Sequence, residues 1–216
     1  SITNRTDKEP SSTQKEYMIF EDFNPIEDKT FRIIDNDGKV INQKYMPKID
    51  RELITEAYKK MLFARTADLM AVSYQRRPQD WLVPAFREVP LMMDKGVSLK
   101  EVFLYYMGNE EGSNFQNAER VLPISVPIGS QILQAAGLGY AVKYQQKDEA
   151  VFTYIGDGGT SEGDFSEGLN FAAVWKAPVI FTIQNNQYAI STPIEKQTKS
   201  INLAVKSVAF GMPGIK

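Results

Sequence analysis

The stretch from Ala150 to Pro193 limits this chain more than any other. A strand-like run, Ala150-Val-Phe-Thr-Tyr-Ile155, meets a glycine turn, Gly156-Asp157-Gly158-Gly159. A helix is expected to begin near Thr160 or Ser161. A second apolar run, Val179-Ile-Phe-Thr-Ile183, ends at the pair Asn185-Asn186. Strand, turn, helix and strand make a βαβ unit, so the expected fold is α/β, a mainly parallel sheet with helices on both faces. Sheets of this kind hold ligands outside the carboxyl ends of their strands. Asp157 and Asn186 stand just past two such ends and can converge on one point.

The residue types at that point define a chemistry. A carboxylate, an amide oxygen and nearby backbone carbonyls are hard oxygen donors, which suit Mg²⁺ or Ca²⁺ rather than zinc or copper. Mg²⁺ takes few protein ligands and completes its octahedron with water and phosphate oxygens. Gly156, Gly158 and Gly159 let the backbone approach a phosphate, and the following helix offers free N–H groups. The set reads as a site for a metal and a diphosphate. The competing reading is local, because Asp and Asn also close turns after strands by bonding their own backbone. The Asn pair at the end of the next strand favours the site.

Composition narrows the chemistry further. The 216 residues contain no histidine and no cysteine. Cys/His zinc sites, a Ser-His-Asp triad and a Cys-His pair are therefore excluded within this chain. Acid-base work must come from carboxylates, Lys, Tyr, a cofactor or another subunit. The net charge of −2 gives no electrostatic case for nucleic acid. No apolar run reaches the length of a membrane span, and the opening SITNRTDKEPSSTQKE lacks the apolar segment of a signal peptide.

Along the rest of the chain, residues 1 to about 16 are polar and read as an arm. Phe31-Arg-Ile-Ile34 and Lys39-Val-Ile41 flank Asp35-Asn-Asp-Gly38 as a short hairpin. Residues 1–48 form an arm with this hairpin, and 49–216 form the main domain. Leu53, Ala57, Met61, Ala64, Leu69 and Val72 recur near helical spacing, which predicts one helix from Asp50, its N-cap, to about Gln75. Ser98-Leu-Lys-Glu101 is a capping box for a helix that Gly108 stops. A helix is expected over Ile132–Tyr144, with Ala135, Ala136, Gly137, Gly139 and Ala141 permitting close approach. Ser161-Glu-Gly-Asp164 is read as a second capping box, and Thr198–Phe210 as a last helix ended by Gly211. The Gly-x-Gly of 137–139 lies inside a helix and is not a dinucleotide turn.

Gly156-Asp157-Gly158, followed at this spacing by Asn185-Asn186, resembles the thiamine diphosphate motif. The longer text, GDGGTSEGDFSEGLNFAA and APVIFTIQNNQYAISTP, is similar to the alpha subunits of the decarboxylating component of 2-oxo acid dehydrogenase complexes. Within that family it is most like the bacterial pyruvate type, from about Trp81 to Lys216. The resemblance implies the thiamine diphosphate-binding fold, with thiamine diphosphate and Mg²⁺ as cofactors. It also implies a beta subunit in an α₂β₂ tetramer, a lipoyl acyltransferase core as the next partner, and the cytoplasm. The implied activity is oxidative decarboxylation of pyruvate with transfer of the acetyl group to a lipoyl group.

By the same resemblance, Asp157, Asn186 and the backbone carbonyl of Tyr188 hold the metal. Arg87, in Trp81-Leu-Val-Pro-Ala-Phe-Arg-Glu88, meets the diphosphate. Phe86 stands where many relatives have tyrosine, and the bland reading of Arg87 is a surface salt bridge with Glu88 or Asp94. Gly156, Gly158 and Gly159 line the diphosphate. The carbonyl near Ser125 meets the aminopyrimidine, Ile128 wedges beneath the cofactor, and Val126 and Ile190 lie beside it. Val126 replaces a histidine of branched-chain-type relatives, which favours pyruvate. The catalytic glutamate is implied to belong to the beta subunit, so no catalytic residue is assigned here. Branched-chain 2-oxo acid dehydrogenase and a non-catalytic scaffold remain the alternatives.

Arg76 runs straight into Arg77 where the family carries an Asn-x-Gly-Gln-Glu-Ala-like motif and a further helix. The family also continues past Lys216. A longer protein, of which these residues are part, is the expectation, since losing a core strand would uncover apolar faces.

Overall fold

The structure is a computed structural model, and it describes residue 26 and residues 30–48, 50–64 and 77–216. The polar arm, the helix expectation beyond Ala64 and the Arg76 side of the junction lie outside the described residues. The chain divides into two compact units, residues 47–199 and residues 1–46 with 200–216.

The larger unit is built on three short parallel strands. β1 is Trp81–Val83, β2 is Val151–Gly156 and β3 is Val179–Gln184, in the order β1-β2-β3. Trp81 pairs with Val151, and Val151 with Val179, so the three run in register from one end. Beyond β1, Val121 bridges Leu82 in the parallel sense and brings the 122–128 segment alongside. β2 is buried from Val151 to Ile155, as a central parallel strand covered on both faces must be.

Alternation along the strands supplies a core to each face. Leu82, Phe152 and Tyr154 pack with Leu91 and Met92 of α2 (Val89–Asp94), and with Val97 and Val102, the latter in α3 (Leu99–Tyr106). α1 is Arg51–Ala64, capped as expected by Asp50, whose Oδ1 accepts from the Leu53 N–H at 2.7 Å. On the other face, Val83 and Val151 pack with Ala135 and Val142 of α4 (Ser130–Tyr144). α5 is Gly163–Trp175 and lies against α4. The expectation of helices on both faces of a parallel sheet is met.

Small residues set how closely these layers meet. A Cβ on Gly168 of α5 would stand 2.5 Å from Cγ2 of Ile132 and 3.1 Å from its backbone. A Cβ on Gly139 of α4 would collide with Val179 of β3. Gly137, two residues before it and on the opposite side of the helix, faces open space. The Ser98–Glu101 capping box is formed in full, and Gly108 takes a φ of 78° just past α3.

Three local expectations are corrected. The glycine turn passes first through a 3₁₀ turn, Gly158–Ser161, and the α-helix starts only at Gly163. The Ser161–Asp164 capping box does not form; Glu162 takes the N-cap position without a side-chain bond, because Ser161 is itself held inside the 3₁₀ turn. The last helix is not continuous. α6 is Ile194–Gln197, and a separate 3₁₀ segment runs Ala204–Phe210 before Gly211 at φ 68°.

In the smaller unit, Ile34 bridges Val40 in the antiparallel sense, and Asp35 Oδ1 accepts from the N–H groups of Asp37 and Lys39. That is the expected hairpin. Phe31 meets Tyr45 edge-on with centroids 5.0 Å apart.

An ion pair between the exposed Arg77 and the buried Asp80 anchors the entry to β1. Asp80 is 2% exposed and accepts from Arg77 and from the Ala150 N–H at 2.8 Å. Burial by itself would raise the Asp80 carboxyl, but the bonds from Arg77 and Ala150 outweigh it and hold the group below its ordinary value. A carboxyl depressed in the folded state lends stability above its unfolded pKa of 3.8, and this is lost as pH falls through the depressed value. Asp80→Asn should therefore flatten the acid limb of a urea midpoint-versus-pH curve; an unchanged limb would show that the pair carries no linkage. Gly168→Ala should lower stability by about 1–3 kcal/mol through overpacking. Gly137→Ala should raise it by up to about 1 kcal/mol through helix propensity. Urea midpoints read both, and equal effects at the two positions would refute the close approach of α4 and α5.

Candidate functional site at the carboxyl edge of the sheet

Because the strands are parallel, all of them end at one edge. β1 leaves that edge toward Phe86 and Arg87, and the Val121 bridge leaves it toward Ser125–Ile128. β2 gives Asp157, and β3 gives Asn186. Gly156 pairs with Gln184, so Asp157 follows directly and Asn186 two residues on. Residues far apart in sequence are thus delivered to one edge by strand pairing.

Asp157 is 1% exposed. Its carbonyl is held by Thr160, which donates from both its N–H and its hydroxyl, the latter at 2.7 Å. Among the described residues its Oδ2 is buried with no hydrogen-bond partner. A buried carboxylate oxygen without a donor or cation costs several kcal/mol. The atom fits a cation that the folded chain does not itself supply, and a hard oxygen donor fits Mg²⁺. Among the described residues no group of three or more acidic, His or Cys side chains could hold a metal. The donor set must therefore combine a carboxylate with amide and carbonyl oxygens.

The β3 exit is shaped by Asn side chains. Asn185 Oδ1 accepts from Gln187 N–H, and Asn186 Oδ1 accepts from Tyr188 N–H, each at 3.0 Å. Asn186 therefore closes a turn, as the local reading expects, and it lies exposed at the edge. β4 (Tyr188–Ala189) and β5 (Thr192–Pro193) then form a two-stranded hairpin. Gln187 and Ile190 flank β4 at φ 70° and 58°. For a β-branched residue such as Ile190 this left-handed conformation is a true outlier, with a cost of about 1–3 kcal/mol. The hairpin returns against the glycine turn: a Cβ on Gly158 would lie 2.6 Å from Cβ of Ala189. A Cβ on Gly159 would lie 2.5 Å from Ile155 Cγ1 and 3.0 Å from Ile128 Cγ2. Only glycine allows these approaches. Gly156 meets nothing within 4 Å, so no steric need for it is visible.

Ile128 is thus packed against the glycine turn while still 44% exposed. Ser125 Oγ meets Ser130 Oγ at 2.7 Å. Val126, Tyr188 and Ile190 project outward, Ile190 completely. Arg87 is exposed; its guanidinium lies 5.0 Å from the Phe86 ring centroid. Among the described residues the guanidinium makes no hydrogen bond or ion pair, so the salt bridge to Glu88 or Asp94 is absent. A free guanidinium over an aromatic face is a fork kept open for an anion.

Sequence reasoning missed the residues that brace this edge. Gln131 is 1% exposed; its Nε2 donates to the Tyr154 carbonyl at 2.9 Å and its Oε1 accepts from the Gly129 N–H at 3.1 Å. This ties the start of α4, next to Ile128, to β2. Glu88 is wholly buried and accepts from the Ala85 and Arg87 N–H groups and from Gln184. Burial holds its carboxyl above the ordinary range, against the downward pull of those bonds. A polar residue inside an apolar stretch was the available signal, but its partners are distant in sequence.

The family model described as dehydrogenase E1 component matches residues 41–216. The chain is 43% identical over 206 residues to the pyruvate dehydrogenase E1 component subunit alpha of Acholeplasma laidlawii, covering 84% of this chain and 60% of that protein. It is 38% identical over 209 residues to the protein of the same name from Staphylococcus aureus, covering 86% and 56%. The Staphylococcus epidermidis protein is 36% identical over the same shares. The chain thus spans well under two thirds of these relatives. The first match runs over 206 positions but takes up only 84% of the 216 residues here, so that relative carries residues inside the matched stretch that this chain lacks. The strand–glycine-turn–strand edge and the match over most of the chain agree: this chain belongs to the dehydrogenase E1 component family, with the fold that binds thiamine diphosphate.

Proposed function

We propose that this chain supplies the diphosphate and metal half of a thiamine diphosphate site shared with a beta subunit in an α₂β₂ assembly. The observation that carries the reading is the buried, partnerless Oδ2 of Asp157 at the carboxyl edge of the sheet. Asp157, the Asn186 side chain and the Tyr188 carbonyl are the proposed Mg²⁺ ligands. Arg87 and the backbone of Gly156, Gly158 and Gly159 are the proposed diphosphate contacts, with Phe86 fixing the arginine from below. Ser125, Val126, Ile128 and Ile190 are assigned to the organic part of the cofactor. Residues 49–216 are taken as the cofactor-binding domain and 1–48 as an arm.

For the complete protein we infer decarboxylation of pyruvate and transfer of the acetyl group to a lipoyl group of an acyltransferase core, in the bacterial cytoplasm. The names of the matching relatives support pyruvate over branched-chain acids. Among the described residues no helix is long and apolar enough to cross a membrane. The bound cofactor supplies the carbanion chemistry, which no side chain provides. This chain's own residues bind and orient. Asp157 offers a negative oxygen already stripped of water, so little reorganisation is needed when the cation arrives. Arg87 offers a planar fork for two anionic oxygens. Ile128 packs on Gly159 and stands beside the turn as an apolar support. By the family resemblance, the glutamate that handles the cofactor's proton is assigned to the beta subunit.

The test is titration of thiamine diphosphate into the full-length alpha chain assembled with its beta partner, with Mg²⁺ or with excess chelator. Binding should need Mg²⁺. Asp157→Ala should weaken it at least about a hundredfold, or about 2.7 kcal/mol. Gly159→Ala should both weaken binding and lower stability by about 1–3 kcal/mol, since Ile155 beneath it is buried. Metal-independent binding, or an unaltered Asp157→Ala protein, would refute the assignment.

A further inference from the structure

Among the described residues Glu88 is the one fully buried acid near this edge that the proposed reaction does not use. It is 0% exposed. It occupies the N-cap position of α2, yet its side chain makes no capping bond there. Its carboxylate turns the other way. Oε2 accepts from the Ala85 N–H at 2.7 Å and the Arg87 N–H at 3.2 Å. Oε1 accepts from Gln184 Nε2 at 2.8 Å, 96 positions away. One oxygen therefore holds the turn that presents Arg87, and the other holds the last residue of β3, from which the chain runs into Asn185 and Asn186.

Among the described residues Glu88 has no cationic partner. A buried charge held only by dipoles is a poor way to stabilise a fold, since an apolar residue of similar volume often does as well or better. What the carboxylate adds is geometric: two strand exits fastened to one rigid group. The Arg87 turn is held from a second side by Tyr106, whose hydroxyl donates to the Phe86 carbonyl at 3.3 Å. The guanidinium rests over the Phe86 ring. Tethered in this way, the arginine loses less freedom when an anion binds.

Resting on the thiamine diphosphate reading above, we propose that Glu88 is a positioning residue for the diphosphate half of the site, coupling the Arg87 turn to the β3 end that carries Asn186. It touches neither cofactor nor substrate and acts through Arg87 and Gln184.

A double-mutant cycle on the assembled full-length complex tests this. Thiamine diphosphate is titrated with saturating Mg²⁺ into the parent, Glu88→Ala, Glu88→Gln, Arg87→Ala and the Arg87→Ala/Glu88→Ala double variant, with urea midpoints measured in parallel. Glu88→Ala, which leaves two backbone N–H groups without an acceptor, should raise Kd about tenfold or more. Glu88→Gln keeps an amide oxygen for those groups and should restore Kd to within about threefold of the parent. The double variant should bind about as weakly as Arg87→Ala alone, because residues acting as a unit are not additive. A Glu88→Ala complex with a lower urea midpoint and unchanged Kd, or losses that multiply in the double variant, would overturn the proposal and leave a structural role. If Glu88→Ala does not assemble, Gln184→Leu tests the other arm: a raised Kd supports the coupling and an unchanged Kd overturns it. A parent complex that does not bind thiamine diphosphate would sink the functional reading itself. Parent binding without the coupling sinks only the role of Glu88.

Discussion

The parallel ladder of β2 with β1 and β3 is the constraint on which the site depends. β2 is hydrogen-bonded on both sides and buried on both faces, so its register is set twice over. A slip of one residue would turn Phe152 and Tyr154 out of one core and drive Val151 out of the other. The two cores thus enforce the pairing, and the pairing places every strand exit on one edge. Arg87, Ile128, Asp157 and Asn186 are neighbours in this sense only because the strands that precede them are aligned.

On that frame the site is assembled from groups that the fold leaves unsatisfied. Asp157 is deeply buried yet has a free carboxylate oxygen. Arg87 is exposed, and among the described residues its guanidinium meets an aromatic ring rather than an acid. Gln187 and Ile190 are kept in left-handed conformations beside Asn186. The buried carboxylate oxygen and the left-handed Ile190 are unfavourable in themselves and tolerable only because the surrounding cores offset them. The glycine turn allows this concentration of features, since Ala189 and Ile128 press into the space that side chains at 158 and 159 would fill.

The buried acids of this unit show how one residue type is given different tasks. Asp80 is paired with Arg77 and with the Ala150 amide, and its role is to join the entry of β1 to that of β2. Glu88 is surrounded by dipoles alone and joins strand exits. Asp157 has its carbonyl satisfied and its carboxylate open. Anchoring pairs lie at the amino end of the strands, and unsatisfied or unpaired groups at the carboxyl end. That polarity separates what holds the sheet from what the sheet offers to a ligand.

Local pattern in the sequence determined the elements and the chemistry of their junctions. The alternation of apolar runs with glycine turns specified β2, β3 and a parallel α/β sheet. The Asp50 and Ser98–Glu101 caps were legible because capping depends on residues three apart. Asp157 and Asn186 were legible as polar residues just past strand ends, where such residues either close turns or face a ligand. Tertiary structure alone decided the rest. The register of β1 on β2, the burial of Asp157 and the closeness of Gly168 to Ile132 depend on partners dozens of residues away. The 3₁₀ turn at 158–161 takes up Ser161 in place of the local capping box, and the β4–β5 hairpin packs against its first residue, Gly158. Glu88, Gln131 and Gln184 look like ordinary polar residues in the sequence. Their hydrogen bonds exist only once the strand ends are side by side, and no local periodicity encodes that.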